Sequence, residues 1–176
     1  MTPPDLSDAE PLAAVALAAA AGAAAHALAE VARASDKAAL ASQAEVLRLR
    51  VAGTARVNAL RYPRALVAQE RAASLPEDSR DSSIGQAYAR AAEPPLELAH
   101  IAADIAELAV ALVEQADAGL RADAAAAAAL AAGTARGAVV LVAINLTAAP
   151  DDARVREARR CAEAAELAAT RAEAAL

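Results

Sequence analysis

Few residues in this chain have side chains suited to chemistry, and they are scattered. It has two histidines, His26 and His100, one cysteine, Cys161, two tyrosines, Tyr62 and Tyr88, and neither Phe nor Trp. The histidines fall in separate helical segments, without the paired spacing of a zinc-binding helix, so no metal is expected. His26 sits in an alanine run and reads as a hydrogen-bonded core or interface residue. His100, one turn after Pro94-Pro95, reads equally as structural or substrate-facing. Cys161 has no intrachain disulfide partner, and its Ala- and Glu-rich surroundings fit a small packing residue better than a nucleophile. A glycine-rich nucleotide loop and a serine or cysteine elbow are both missing, which removes the common kinase, dehydrogenase and hydrolase readings.

Three polar residues stand out from their surroundings. Asn145 ends the apolar, β-branched run Gly137 to Leu146, where a buried amide must be hydrogen-bonded. It either ties helices together or faces a ligand cleft. Asn58 and Tyr62 lie one helical turn apart and share a face, just before Pro63 and beside Arg61 and Arg64. A proline there removes a helical hydrogen bond and predicts a kink or break. The structural alternative is a helix bend with a snorkelling tyrosine.

The elements that must position these groups are helices. Ser7-Asp8-Ala9-Glu10 is a capping-box pattern with Pro11 in the first turn, and it predicts a helix to about Ala34. Ser35 predicts the cap of a second helix, from Asp36 toward Leu60 and, past Pro63, to about Ser74. Leu75 to Ser79 reads as a loop, followed by a helix from Ser82 to Ala92. Pro94-Pro95 suit the first turn of the next helix, Leu96 to about Ala118, ended by Gly119. Asp123 is a natural N-cap for Ala124 to Leu146, Pro150 closes that segment, and a last amphipathic helix runs from about Asp152 to Leu176. Its alternating charges, such as Glu157 four before Cys161 and Arg160 near Glu163 and Glu166, read as a solvated face.

Composition agrees. Of 176 residues, 58% are apolar, and alanine alone supplies roughly a third against a usual share nearer about a tenth. Alanine is the best helix former and a poor strand former, so a β-rich fold is excluded. Small side chains bury little area each, at about 25 cal/mol per Å², which predicts closely packed helices and a subunit interface completing the core. The net charge is −6, with 17 basic residues spread among 23 acids, so nucleic-acid binding has no electrostatic footprint. Pro11 to Ala29 is nearly long enough to span a bilayer, but it is alanine-dominated, contains His26 and has no basic or aromatic flanks. With no basic n-region before it, it reads as a buried helix of a cytoplasmic protein rather than a membrane anchor or signal peptide. The reading is one all-α domain over residues 1–176, a bundle of five or six helices.

The order of segments resembles the cyclodeaminase/cyclohydrolase family, which comprises the C-terminal domain of formimidoyltransferase-cyclodeaminase and the stand-alone methenyltetrahydrofolate cyclohydrolases. The resemblance rests on Ala72-Ala73-Ser74-Leu75-Pro76, on Ala91 to Ala99 around Pro94-Pro95, and on Leu120 to Asp123 through Arg136-Gly137-Ala138 to Ile144-Asn145-Leu146. It implies an all-α homodimer that opens or closes a C–N bond at the amidine-like carbon of a substituted tetrahydrofolate. Two family features are replaced. With Gly22 as anchor, the Pro-Gly-Gly-Gly-Ser loop falls on Ala9-Glu10-Pro11-Leu12-Ala13. Counting back from Pro76, the paired acids of an Asp-x-Asp-Ala motif fall on Leu60 and Tyr62.

The resemblance therefore implies a divergent enzyme performing acid/base-assisted C–N or ring-forming chemistry on a small molecule, in a specialised biosynthetic pathway. Tyr62 becomes the acid/base or oxyanion donor, with Asn145 and Asp123 as the matching family positions. Arg61 or Arg64 would hold an anionic group, and Asn58, Asn145 and His100 would orient the substrate. No cofactor is required, although a tetrahydrofolate derivative could be the substrate. The alternatives are the folate reaction with displaced residues, and a non-catalytic helical dimer that binds or scaffolds a partner.

Overall fold

The computed structural model describes residues 12–147 and 149–176. The capping pattern Ser7 to Glu10, and Pro11 with it, lie outside the described residues. Among the described residues there are six α-helices and no strand: α1 (Leu12–Ala34), α2 (Ala38–Ala72), α3 (Glu77–Ala91), α4 (Glu93–Gln115), α5 (Arg121–Asn145) and α6 (Ala153–Ala174), with a 3₁₀ turn Ala118–Leu120 before α5. This is the all-α bundle that the sequence predicts.

Helix α4 carries most of the large core side chains, because its i, i+3, i+4 positions hold Leu98, Ile101, Ile105, Leu112 and Val113, all buried. It packs against α1, α2, α5 and α6. The faces that meet it are mainly alanine: Ala21, Ala24 and Ala25 on α1, and Ala124, Ala128, Ala131 and Ala135 on α5, are buried. Methyl-sized side chains let helix axes approach closely, so many small contacts replace a few large ones. Among the glycines the tightest surroundings are at Gly137 on α5, where an added Cβ would lie 2.5 Å from Leu17 Cδ2 of α1. Helix α1 and residues Ala118–Asn145 are each long and apolar enough to cross a membrane, but both bury a face inside this bundle.

Several boundaries differ from the sequence reading for identifiable reasons. Ser35 does not cap α2. The chain turns through Asp36 at φ 57°, a left-handed conformation that Asp tolerates better than most residues, and Lys37 occupies the N-cap position without a side-chain cap. The buried Ser35 hydroxyl instead accepts a hydrogen bond from Asp117 N at 3.2 Å, tying the α1–α2 turn to the far end of α4. Pro63 lies inside α2 and does not break it, since the flanking helix packs on both α3 and α4. Helix α3 starts at Glu77 rather than Ser82, with Pro76 fixed in the N-cap position and acids in the first turn. Glu93, Pro94 and Pro95 open α4, where missing amide hydrogens cost nothing. Asp123 is not an N-cap either: Leu120 holds that place, and Asp123 is an exposed first-turn residue of α5. There its charge complements the positive end of the helix dipole. Helix α6 begins where the sequence reading places it, and Asp152 is its N-cap, accepting from Arg154 N at 2.8 Å.

Candidate functional site

The C-terminal half of α3, the end of α5 and the α5–α6 connection enclose a cleft of about 620 Å³, lined on its polar side by Gln69, Asp81, Tyr88, Asn145, Asp152 and Arg154. That size lies within the usual range for small-molecule sites, about 300–1,000 Å³. Apolar walls come from Ile84, Ile144 and Leu146.

Helix α2 supplies Gln69, two turns beyond Tyr62 on the same face. The Tyr88 hydroxyl of α3 donates to Gln69 Oε1 at 2.5 Å. Burial, and secondarily the nearby Tyr62 phenol, push the Tyr88 hydroxyl above its ordinary range. Tyr88 is therefore a protonated donor at neutral pH, and the only two aromatic side chains of the sequence are neighbours.

Asn145 closes the cleft floor. Its Nδ2 donates to Leu141 O at 2.9 Å and, more weakly, to Ala91 O at 3.5 Å. The first bond runs back into α5 and the second reaches the end of α3, so the amide tethers two helices while its group lines the cleft. Asn145 is thus a helix tether whose amide also lines this cleft. At the entry of α6, Arg154 Nε and Nη2 donate to the two oxygens of Asp152 at 3.0 and 2.8 Å, and Arg154 Nη1 donates to Ala89 O at 2.9 Å. These bonds hold the Asp152 carboxyl down to about 2, so it stays ionised and is a fixed charge rather than a proton carrier. Each of the two cleft carboxylates has a guanidinium partner, Asp152 with Arg154 at 2.8 Å and the more exposed Asp81 with Arg80 at 3.1 Å, so the lining is polar and close to charge-balanced.

The other predicted residues are dispersed. Tyr62 is half-buried on the α2 face behind Gln69, and Asn58 is buried one turn earlier. Arg61 turns away to pair with Glu93 and to donate to Arg90 O at 3.3 Å. Arg64 lies on a separate surface depression with Pro63, Arg71 and Ser83. His100 faces α6, where its Nε2 lies 3.2 Å from Glu157 Oε1, and exposed Asp123 starts α5; neither lines the cleft. Gln69, Asp81, Tyr88, Asp152 and Arg154 were not singled out in the sequence as site residues. Only the helix-start position of Asp152 and the rarity of tyrosine gave any signal for them.

The family model of formiminotransferase-cyclodeaminase matches residues 13–164, which takes in every cleft residue. The chain belongs to that family. Its fold is similar to the crystal structure of a formiminotetrahydrofolate cyclodeaminase from Thermotoga maritima, with a TM-score of 0.79 and 18% identity over 93% of this chain and 86% of that one. No curated protein matches the chain by sequence.

Proposed function

We propose that the chain is a divergent enzyme of cyclodeaminase/cyclohydrolase type, moving a proton at an imine- or amidine-like C–N centre of a small molecule bound in this cleft. The observation that carries the reading is the convergence of Tyr88, Gln69 and Asn145 on one polar cleft within the family-matched region, with Tyr62 close behind Tyr88. The N–H groups of a cationic amidine would be held by the Asp81 carboxylate at the exposed edge of the cleft. Protonated Tyr88 would donate to the nitrogen or to the developing oxyanion, and Asn145 would orient the ring. Tyr62, at the position where the resemblance places a family acid, would return a proton to the neighbouring Tyr88 phenolate after Tyr88 has donated its own. No cofactor is required by this chemistry.

The folate reaction is the second reading, because the similar Thermotoga protein is a formiminotetrahydrofolate cyclodeaminase. A homodimer belongs to the proposal. Val140 and Ile144, one turn apart on α5, are 63% and 67% exposed, and Ile144 also lines the cleft. A second copy covering that face would border the site.

The test follows consumption of methenyltetrahydrofolate, by loss of its absorbance, beside a panel of cyclic imines and amidines. Positioned acid/base groups contribute about 10²–10⁴-fold, so Tyr62→Phe should slow any substrate turned over by at least about tenfold. Equal rates would remove Tyr62 from the mechanism. Turnover of the folate substrate would select the second reading, and no turnover of any panel member would favour a non-catalytic helical dimer.

A further inference from the structure

Away from the cleft, one and two turns beyond Arg154 along α6, three metal-ligating groups converge. His100 projects from α4, and Glu157 and Cys161 stand one turn apart on α6. Their ligand atoms, an imidazole nitrogen, a carboxylate oxygen and the thiol sulfur, all lie within 4.8 Å of one another. We propose that His100, Glu157 and Cys161 form a three-ligand site for a zinc-class divalent cation, clipping α4 to α6 and leaving a fourth position for water.

The spacing fits the chemistry. Bonds of about 2.0–2.3 Å in tetrahedral array put neighbouring ligand atoms about 3.3–3.7 Å apart. The His100 Nε2 to Glu157 Oε1 separation of 3.2 Å is already that of a tetrahedral edge, so only the thiol has to draw in. Mixed N, O and S donors favour zinc over magnesium or calcium, which take oxygen ligands. The charges also suit: a thiolate and a carboxylate offer two negative charges to a doubly charged cation.

Access and surroundings agree. The His100 and Glu157 side chains are 37% and 35% exposed, so the open position faces solvent, while Cys161 is buried behind them among Ala138, Val142 and Ala158. Arg160 pairs with the other oxygen of Glu157, leaving Oε1 for the metal. Asp104, one turn after His100, is near enough for its charge to act on the thiol, but Arg50 holds it at 2.8 Å. Binding replaces the Cys161 S–H bond with an S–metal bond and releases that proton to solvent, so no oxidant or other reactant is needed.

Cobalt(II) titration of the purified full chain tests the site, since thiolate coordination gives a charge-transfer band and a tetrahedral field gives intense visible bands. The expected result is saturation at one cobalt per chain, displacement by zinc, and a zinc-dependent rise in melting temperature. Cys161→Ser should abolish the charge-transfer band. His100→Gln and Glu157→Gln, at half-exposed positions that the fold tolerates, should each weaken binding by at least about tenfold. Absence of a saturable band in the wild-type chain would overturn the proposal. So would a band that persists undiminished in His100→Gln and Glu157→Gln, which would reveal a lone thiol acting by itself.

Discussion

Replacing Asp152 separates two contributions at the cleft's edge, the helix cap and the charge. Its carboxylate caps α6 through Arg154 N and takes two further bonds from the Arg154 guanidinium, which in turn holds Ala89 O at the end of α3. The carboxyl is held at about 2 against an ordinary 3.8. Each unit corresponds to about 1.4 kcal/mol, but the pair is 21% and 32% exposed, and solvent screening reduces the expected contribution to about 1 kcal/mol. Because the folded value is depressed, this stabilisation is complete above the unfolded value and is lost as pH falls from there through about 2.

Asp152→Asn keeps a capping side chain and removes the charge, so it should cost about 1 kcal/mol at neutral pH, or about 2–4 °C in melting temperature. Asp152→Ala also loses the cap, a further cost of about 1 kcal/mol. Urea midpoints measured from neutral pH down to about pH 2.5 should show the Asn variant converging on wild type as the carboxylate protonates. A gap of the same size at every pH, or no gap at all, would refute the fixed-charge assignment.

Three further outcomes follow from the packing. Leu28 is fully buried against the alanine faces, so Leu28→Ala should lose about 2–5 kcal/mol by urea unfolding; a loss below about 1 would mean that the core does not close around it. Gly137→Val should destabilise by about 1–3 kcal/mol through the clash with Leu17, and Leu17→Ala should relieve that cost, so additive effects in the double variant would place the strain elsewhere. Light scattering should find a wild-type dimer and an Ile144→Asp monomer with unchanged helicity; a wild-type monomer would remove the dimer from the proposal.

The helices were legible because alanine content, proline placement and Asp152 act locally. What failed were ends decided by tertiary packing. Ser35 carries cap chemistry, but its hydroxyl is used across the bundle by Asp117, and Asp123 was displaced from the cap when the 3₁₀ turn Ala118–Leu120 fed directly into α5. The site was legible only in part. Asn145 was visible as an amide in an apolar run, whereas the meeting of Tyr62, Gln69 and Tyr88 depends on how α3 folds back on α2. In the same way, Glu157 and Cys161 show helical spacing in the sequence, but their neighbour His100 comes from α4, 57 residues away from Glu157, so no linear motif marks the group.

The two tyrosines make the central claim directly observable. A chain labelled with carbon-13 at the tyrosine Cζ should give two resonances, one for Tyr62 and one for Tyr88. The expected result is that both shift saturably when a cyclic amidine or methenyltetrahydrofolate is added, and that Asn145→Ala weakens or abolishes the response. Two resonances that stay fixed at saturating concentrations of every member of that panel would contradict a substrate cleft at this place in the fold.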